Sequence, residues 1–129
     1  MNIEYKISDL GLLTDYLNLY KRCFKNFNKD INYFNWLYKK NPTGNYLGID
    51  AFHNNKLIGQ VGGIPLNFKF YNNYIKTLVS INVCVDEQYR GNKLFLNLSK
   101  NLEKFLMEEN FELIIAIGNK QATPAWKKS

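Results

Sequence analysis

Long hydrophobic runs are missing from this sequence. No apolar stretch approaches the ~18 residues of a membrane-crossing helix, and no charged segment followed by an apolar one opens the chain. Membrane insertion and secretion therefore lack a signal, and a cytoplasmic protein with no membrane partner is expected. Histidine occurs once and cysteine twice, as Cys23 and Cys84, without Cys-x-x-Cys spacing or a neighbouring histidine. No metal is expected, and the cysteines, on a predicted helix and a predicted buried strand, are expected to be free buried thiols. A dense basic block is also lacking, which argues against a nucleic-acid arm. The phosphate-loop pattern GxxxxGK[ST] and the dinucleotide pattern GxGxxG are both absent, as are internal repeats and low-complexity linkers.

What is present fits one globular domain over residues 1–129. Hydrophobic residues at 46% and charged residues at 22% exclude a disordered chain, and this length suffices to bury a core. The 16% aromatic share comes with many Asn and Lys, a bias that an AT-rich genome produces without a functional cause. The net charge of +6 favours anionic ligands such as phosphates and nucleotides.

Periodicity orders the elements. Ile3 to Ile7 alternates as a short strand, and Ser8 then caps a helix running to about Phe24, with Leu13, Tyr16, Leu17, Tyr20, Cys23 and Phe24 on one stripe. Asp30 caps a second helix that carries Phe34, Leu37 and Tyr38 and stops at Asn41-Pro42-Thr43-Gly44. Strands follow over Tyr46 to Phe52, Leu57 to Phe70 and Tyr74 to Val85, joined at His53-Asn54-Asn55 and Tyr71-Asn72-Asn73. Gly59, Gly62, Gly63 and Pro65 predict a bulge or close backbone approach within the second of them. In the third, alternation puts Val79, Ile81, Val83 and Val85 on one face and Ser80, Asn82 and Cys84 on the other. A helix from Leu94 to about Asn110 leads to an apolar strand, Leu113 to Ile117, which reads as buried and parallel. Ala122 to Ser129 starts another helix.

The evident ligand position is the junction between the Tyr74 to Val85 strand and the Leu94 helix. Asp86 to Lys93 forms a short loop running into a helix N-terminus, where free backbone amides and the helix dipole favour an anion and Gly91 permits close approach. Arg90 and Lys93 add positive charge. The run Arg90-Gly91-Asn92-Lys93-Leu94-Phe95, after Val83-Cys84-Val85-Asp86-Glu87-Gln88-Tyr89, resembles the signature of the GNAT superfamily of N-acetyltransferases, Q/R-x-x-G-x-G/A with a V-x-P-x-Y-R-G lead-in. Lys93 and Phe95 stand where the family places glycine-type residues. Asn119, Ala122 and Trp126 are similar to its N-x-x-A-x-x-x-Y element. Phe34-Asn35-Trp36-Leu37-Tyr38 with Asn41-Pro42-Thr43-Gly44 is similar to the second helix of bacterial members.

The resemblance implies an α/β (α+β) fold, a mixed and mostly antiparallel sheet flanked by helices in the order β-α-α-β-β-β-α-β-α. The family continues with a Gly-Phe turn and two more strands, so with the sequence stopping at Ser129 those strands are expected to be missing, the domain being truncated in its last helix. It implies acetyl-CoA as co-substrate, with Val83, Cys84 and Val85 on the pantetheine arm, Arg90, Gly91, Asn92, Lys93, Leu94 and Phe95 on the pyrophosphate, and Asn119 bonding from the other side. The implied reaction is acetyl transfer to a primary amine of a small molecule, an amino sugar by family analogy. In many relatives the Tyr matched by Trp126 protonates the departing thiolate, and an indole N–H is too weak an acid for that.

No Asp or Glu lies within the central strand. Asp86 and Glu87 fall at its end, Asp86 reading as a cap, and Ser80 and Asn82 are the candidates for ordering a water that relays the amine proton. His53, in a predicted hairpin turn, is expected to be exposed. Tyr33, Trp36 and Tyr38 line a pocket or form core, with core favoured. The rival reading is a non-catalytic or incomplete GNAT-like module that binds coenzyme A or a protein partner, which Lys93, Trp126 and the early stop favour. No nucleic-acid partner is expected, because the aromatic residues sit at core-type positions. A second copy could complete the sheet as a homodimer.

Overall fold

The structure, a computed structural model, describes residues 2–81, 83–91 and 93–116. Its elements are β1 (Glu4–Ile7), α1 (Leu13–Cys23), α2 (Ile31–Lys39), β2 (Leu47–His53), β3 (Lys56–Phe70), β4 (Asn73–Ser80), β5 (Cys84–Val85), α3 (Leu94–Glu108) and β6 (Leu113–Ala116), with 3-10 turns at Leu10–Leu12 and Glu87–Tyr89. The strands pair in the order β1-β2-β3-β4-β6, and β5 extends the β3 ladder. Every pair is antiparallel except β4–β6, which is parallel and bridged by α3. This is the expected mixed sheet, with the third predicted strand divided in two. The helix predicted over Ala122 to Ser129 lies outside the described residues.

Local chemistry sets the boundaries. Asp30 starts α2 by accepting from the amides of Asn32 and Tyr33 at 3.0 and 3.2 Å. The first helix begins later than predicted, because Asp9 caps a 3-10 turn while Ser8 turns inward to donate to Asp50 at 2.7 Å. The β2–β3 hairpin closes through Asn54 and Asn55 at φ of 50° and 63°, a backbone that asparagine tolerates better than most residues.

Opposed residues share a face of the sheet. Gly48 with Gly62 and Asp50 with Gln60 face α1 and α2, whereas Ile49 with Val61 and Ala51 with Gly59 face α3. The first core joins Leu13, Tyr16, Leu19, Tyr20 and Cys23 to Phe34, Leu37, Tyr38 and Tyr46. The second joins Ile58, Val61, Leu78 and Val85 to Leu94, Leu98, Leu102 and Leu106. Burying each such Leu or Ile stabilises the fold by roughly 1.5–3 kcal/mol before conformational entropy is counted. The facing glycines have a specific use: a Cβ on Gly62 would lie 2.6 Å from the Tyr46 hydroxyl, and the Tyr46 ring stacks on Tyr38 at 4.1 Å.

Three expectations are corrected. The run from Tyr74 to Val85 is not one alternating strand: Ser80 opposes Gly63 and Cys84 opposes Gln60, so between these two pairs the segment has one residue more than β3. That one extra residue is a bulge, and it shifts the alternation, so Ile81 packs with the α1–α2 core while Val83 and Val85 pack with α3. Cys84 consequently faces α1, where it forms a disulfide with Cys23, their Cα atoms 6.2 Å apart; the thiols are not free. Strand β6 is parallel as expected but not buried: Leu113 is 44% exposed, and Ile114 and Ile115 are half-buried. Strand β3 keeps both features expected of it: Ala51 opposes Gly59 and Phe52 opposes Leu57, which leaves Ile58 as an extra residue, and Gly62 and Gly63 lie close against neighbouring backbone.

Candidate functional site

The bulge leaves one strand edge directed outward. Asp86 N donates to the Ile58 carbonyl at 2.7 Å, so Asp86 faces β3. Successive residues of a strand turn their polar backbone groups to opposite edges, and those of Val85, and of Val83 by the same alternation, point away from β3. The Val85 carbonyl accepts from Arg90 Nε at 3.1 Å. The pairing of β4 with β6 is described as far as Ser80 and Ala116, so among the described residues no strand pairs the Val83–Val85 edge.

That edge leads to the start of α3. Gly91 has φ of 87° and Lys93, which precedes the helix, has φ of 58°. Lys93 at the N-cap makes no side-chain capping bond and no acidic residue lies in the first turn, so the positive end of the helix dipole favours an anion. A Cβ on Gly91 would meet nothing within 4 Å, which places open space before the loop. An outward strand edge for an amide-bearing arm, a helix start without acidic residues and a neighbouring lysine together fit a long, pyrophosphate-bearing ligand such as acetyl-CoA.

The loop is held from both sides. Arg22 Nε donates to Asp86 Oδ2 at 2.9 Å, its Nη2 to the Leu57 carbonyl at 2.8 Å, and Asp86 Oδ1 accepts from Gln88 N at 3.2 Å. The next residue of α1, Cys23, is bonded to Cys84. Across the loop, His53 Nδ1 and the Tyr89 hydroxyl are 2.7 Å apart, their rings edge to face. His53 is therefore not an exposed turn residue. It ends β2, half-buried, against the loop.

Beneath α1 and α2 lies a buried polar network. Asp50 accepts from Ser8 and Gln60 on one oxygen, at 2.7 and 3.1 Å, and from Tyr16 on the other at 2.6 Å. Gln60 Oε1 accepts in turn from Tyr20 and Tyr38 at 2.6 and 2.8 Å. Burial pushes the Asp50 carboxyl above the usual carboxylate range, against the downward pull of hydrogen bonds from Ser8, Tyr16 and Gln60. Burial first, and then the Asp50 charge, pushes the Tyr16 hydroxyl far up, so it stays a neutral donor. Both carboxylate oxygens are occupied, and the network joins α1 and α2 to the sheet.

Of the residues singled out from sequence, Val83, Cys84, Val85, Arg90, Gly91, Lys93, Leu94 and Phe95 lie along this edge, loop and helix start. Ser80 is buried and donates to the Gly62 carbonyl at 3.3 Å. Asn82, Asn92, Asn119, Ala122 and Trp126 lie outside the described residues. Tyr38 is core, Tyr33 is half-buried, and Trp36, expected in the core, is 54% exposed on α2. Sequence reasoning did not find Arg22, the His53–Tyr89 pair or the Asp50–Gln60 pair. The last had a signal: a charged and an amide side chain inside otherwise apolar strands require buried partners. Among the described residues no three His, Cys, Asp or Glu group so as to hold a metal ion, and no helix is long and apolar enough to cross a membrane.

Comparison with known proteins converges on one fold. A family model of the acetyltransferase (GNAT) domain matches residues 4–120. A search of curated proteins gives no significant match. Among solved structures, a predicted acetyltransferase from Clostridium acetobutylicum with acetyl-CoA is similar at 20% identity and a TM-score of 0.78, over 98% of this chain and 88% of that one. An aminoglycoside acetyltransferase from an uncultured soil metagenomic sample, in complex with sisomicin, matches at 17% identity and a TM-score of 0.73, covering 98% and 84%. Glucosamine-6-phosphate N-acetyltransferase from Arabidopsis thaliana matches at 12% identity and a TM-score of 0.74, covering 99% and 90%.

Proposed function

Because this chain belongs to the acetyltransferase (GNAT) domain family, whose model spans residues 4–120, we propose that it is an enzyme that moves an acetyl group from acetyl-CoA to the primary amine of a small molecule. The observation that carries the reading is the junction of the outward Val83–Val85 edge with the start of α3, where Gly91 leaves open space and no acidic residue lies in the first turn. In the reaction a C–N bond forms, the thioester C–S bond breaks, the amine gives up a proton and coenzyme A leaves as its thiol. The site must hold the thioester, offer backbone donors to the developing oxyanion and accept the amine proton.

Val83, Cys84 and Val85 are assigned to the pantetheine arm, and Gly91 to Phe95, with the Lys93 charge, to the pyrophosphate. Arg90 fixes the loop to the strand through the Val85 carbonyl. Asp86 is engaged by Arg22 and Asp50 by its buried network, and Glu87 is exposed on the loop, so the amine proton is assigned to water. Of the two candidates for ordering that water, Ser80 already donates to Gly62, which leaves Asn82 as the residue to test. An amino sugar is the favoured acceptor class. Trp36 offers an exposed ring on α2, and two similar structures are acetyltransferases of amino-sugar-containing molecules.

Thermal shift with acetyl-CoA tests the assignment. Stabilisation of about 3 kcal/mol is expected at a hundred-fold excess over Kd, and Gly91→Trp should abolish it. The open space at Gly91 lets the variant fold with only a strained φ. A folded wild-type chain that shows no shift would overturn the donor site. A shift without thiol release across a panel of amines would favour a coenzyme A-binding module instead.

A further inference from the structure

We propose that the tip of the β3–β4 hairpin docks on an anionic lipid surface. The hairpin outruns the sheet: β2 pairs β3 only as far as Gly63, and the segment entering β6 reaches β4 only at Lys76, whose carbonyl accepts from Glu112 N at 2.8 Å, so residues 67–75 form a two-stranded ribbon among the described residues. At its end Phe70 is 60% exposed, Tyr71 85% and Tyr74 66%. Phe68 and Phe70 lie on one face, Tyr74 opposes Lys69 on the other, and Tyr71 forms the turn, edge-on to Phe70 at 4.7 Å. A projection that is aromatic on both faces and at its point is shaped for end-on insertion. Tyr71 also takes φ of 56° at the first position of a two-residue turn, where glycine is favoured, so the exposed ring is kept against both solvation and backbone preference.

Charge selects the occupant. No Asp or Glu occurs between Ala51 and Val85, and Lys69 is exposed at the tip of a chain of net charge +6. Two copies meeting tip to tip would oppose like charges. Nucleic acid draws its affinity from several phosphate-neutralising cations. The tip offers Lys69 and Lys76, and Lys76 already donates to the Glu109 carbonyl at 2.6 Å and lies over the Phe111 ring. A lipid interface takes aromatic rings at headgroup depth with a basic residue beside them. Strand β4 runs from the tip toward the Val85 edge and α3 returns, so the tip lies at the opposite end of the sheet from the donor site and does not depend on that assignment.

The test is co-sedimentation with vesicles of phosphatidylcholine mixed with phosphatidylglycerol, and of phosphatidylcholine alone, at low and high salt. The wild-type chain should partition onto the anionic vesicles and less so at high salt. Phe70→Ser with Tyr71→Asn should lower the partition coefficient by about tenfold or more, as loss of two inserted rings requires. Asparagine tolerates the turn, and an unchanged melting temperature establishes that the variant folds. Equal binding by wild type and variant would overturn the proposal in favour of general charge attraction. No wild-type binding at low salt would overturn it too, as would a dimer that the two substitutions dissociate.

Discussion

Arg22 Nε lies 2.9 Å from Asp86 Oδ2, which fastens the last turn of α1 to the residue that opens the loop before α3. Asp86 is buried, and removing its cation leaves a carboxylate with the Gln88 amide as its remaining partner. Arg22→Ala should therefore destabilise the chain by about 1–3 kcal/mol, nearer the lower figure because solvent reaches the guanidinium. Urea unfolding measures this. Acetyl-CoA affinity should weaken in parallel, because the loop loses its tether; unchanged affinity would show that the loop keeps its shape without α1.

The adjacent tether is covalent. The Cys23–Cys84 bond closes a loop with a sequence separation of 61 residues, and the chain-entropy relation for such a loop gives about 4 kcal/mol of stabilisation. Reductant should lower the melting temperature of the wild-type chain and leave that of Cys23→Ser with Cys84→Ser unchanged. Thiol titration of the unreduced, unfolded protein should find no free thiol. Two titratable thiols would sink the bond.

Residue chemistry made the elements legible and left their contacts hidden. The helix over 94–108 and the parallel strand after it could be read because leucines at helical spacing and the apolar run Leu113 to Ile117 each have one economical explanation. The faces of 79–85 could not, because a single extra residue reverses the alternation and nothing in Ser80 to Val85 marks where the bulge falls. The disulfide depended on that same reversal. The loop proposed for the donor drew notice through Arg90-Gly91, a glycine just before a helix start. Its supports, Arg22 from α1 and His53 from β2, arrive from chain-distant elements that only the packed sheet brings together.

The Gly48–Gly62 pair makes a steric prediction. A Cβ on Gly62 would press on the Leu47 carbonyl and lie 2.6 Å from both Gly48 Cα and the Tyr46 hydroxyl, and the two backbone atoms cannot move aside. Gly62→Ala should cost about 2–4 kcal/mol, a large effect for one methyl group. Gly91→Ala, with open space around it, should cost about 1–2 kcal/mol, from its left-handed φ alone. Equal losses in denaturant melts would contradict this contrast.

Trp36 offers a test of acceptor binding apart from donor binding. If its exposed ring receives the acceptor, Trp36→Ala should raise the acceptor KM about tenfold while leaving the acetyl-CoA thermal shift intact. A variant with unchanged KM would remove α2 from the acceptor site.

Asp50 makes a pH prediction whose direction follows from its burial. Its carboxyl titrates higher in the folded chain than in the unfolded one. Between those two values the folded chain holds a proton that the unfolded chain has lost, so this group's contribution to stability falls as pH rises through the window and returns as pH falls. Above that window both states are ionised, and the buried charge is a cost that Ser8, Tyr16 and Gln60 offset by hydrogen bonding. Asp50→Asn removes the titration and keeps the shape, so it should flatten the wild-type profile in the acid range. Asp50→Ala leaves three donors without an acceptor and should cost about 2–4 kcal/mol at every pH. Urea unfolding of the three chains from neutral pH down into the carboxylate range reads both effects. Parallel profiles for wild type and Asp50→Asn would mean that the buried carboxyl titrates as it does in the unfolded chain, and the electrostatic account of the network would fail.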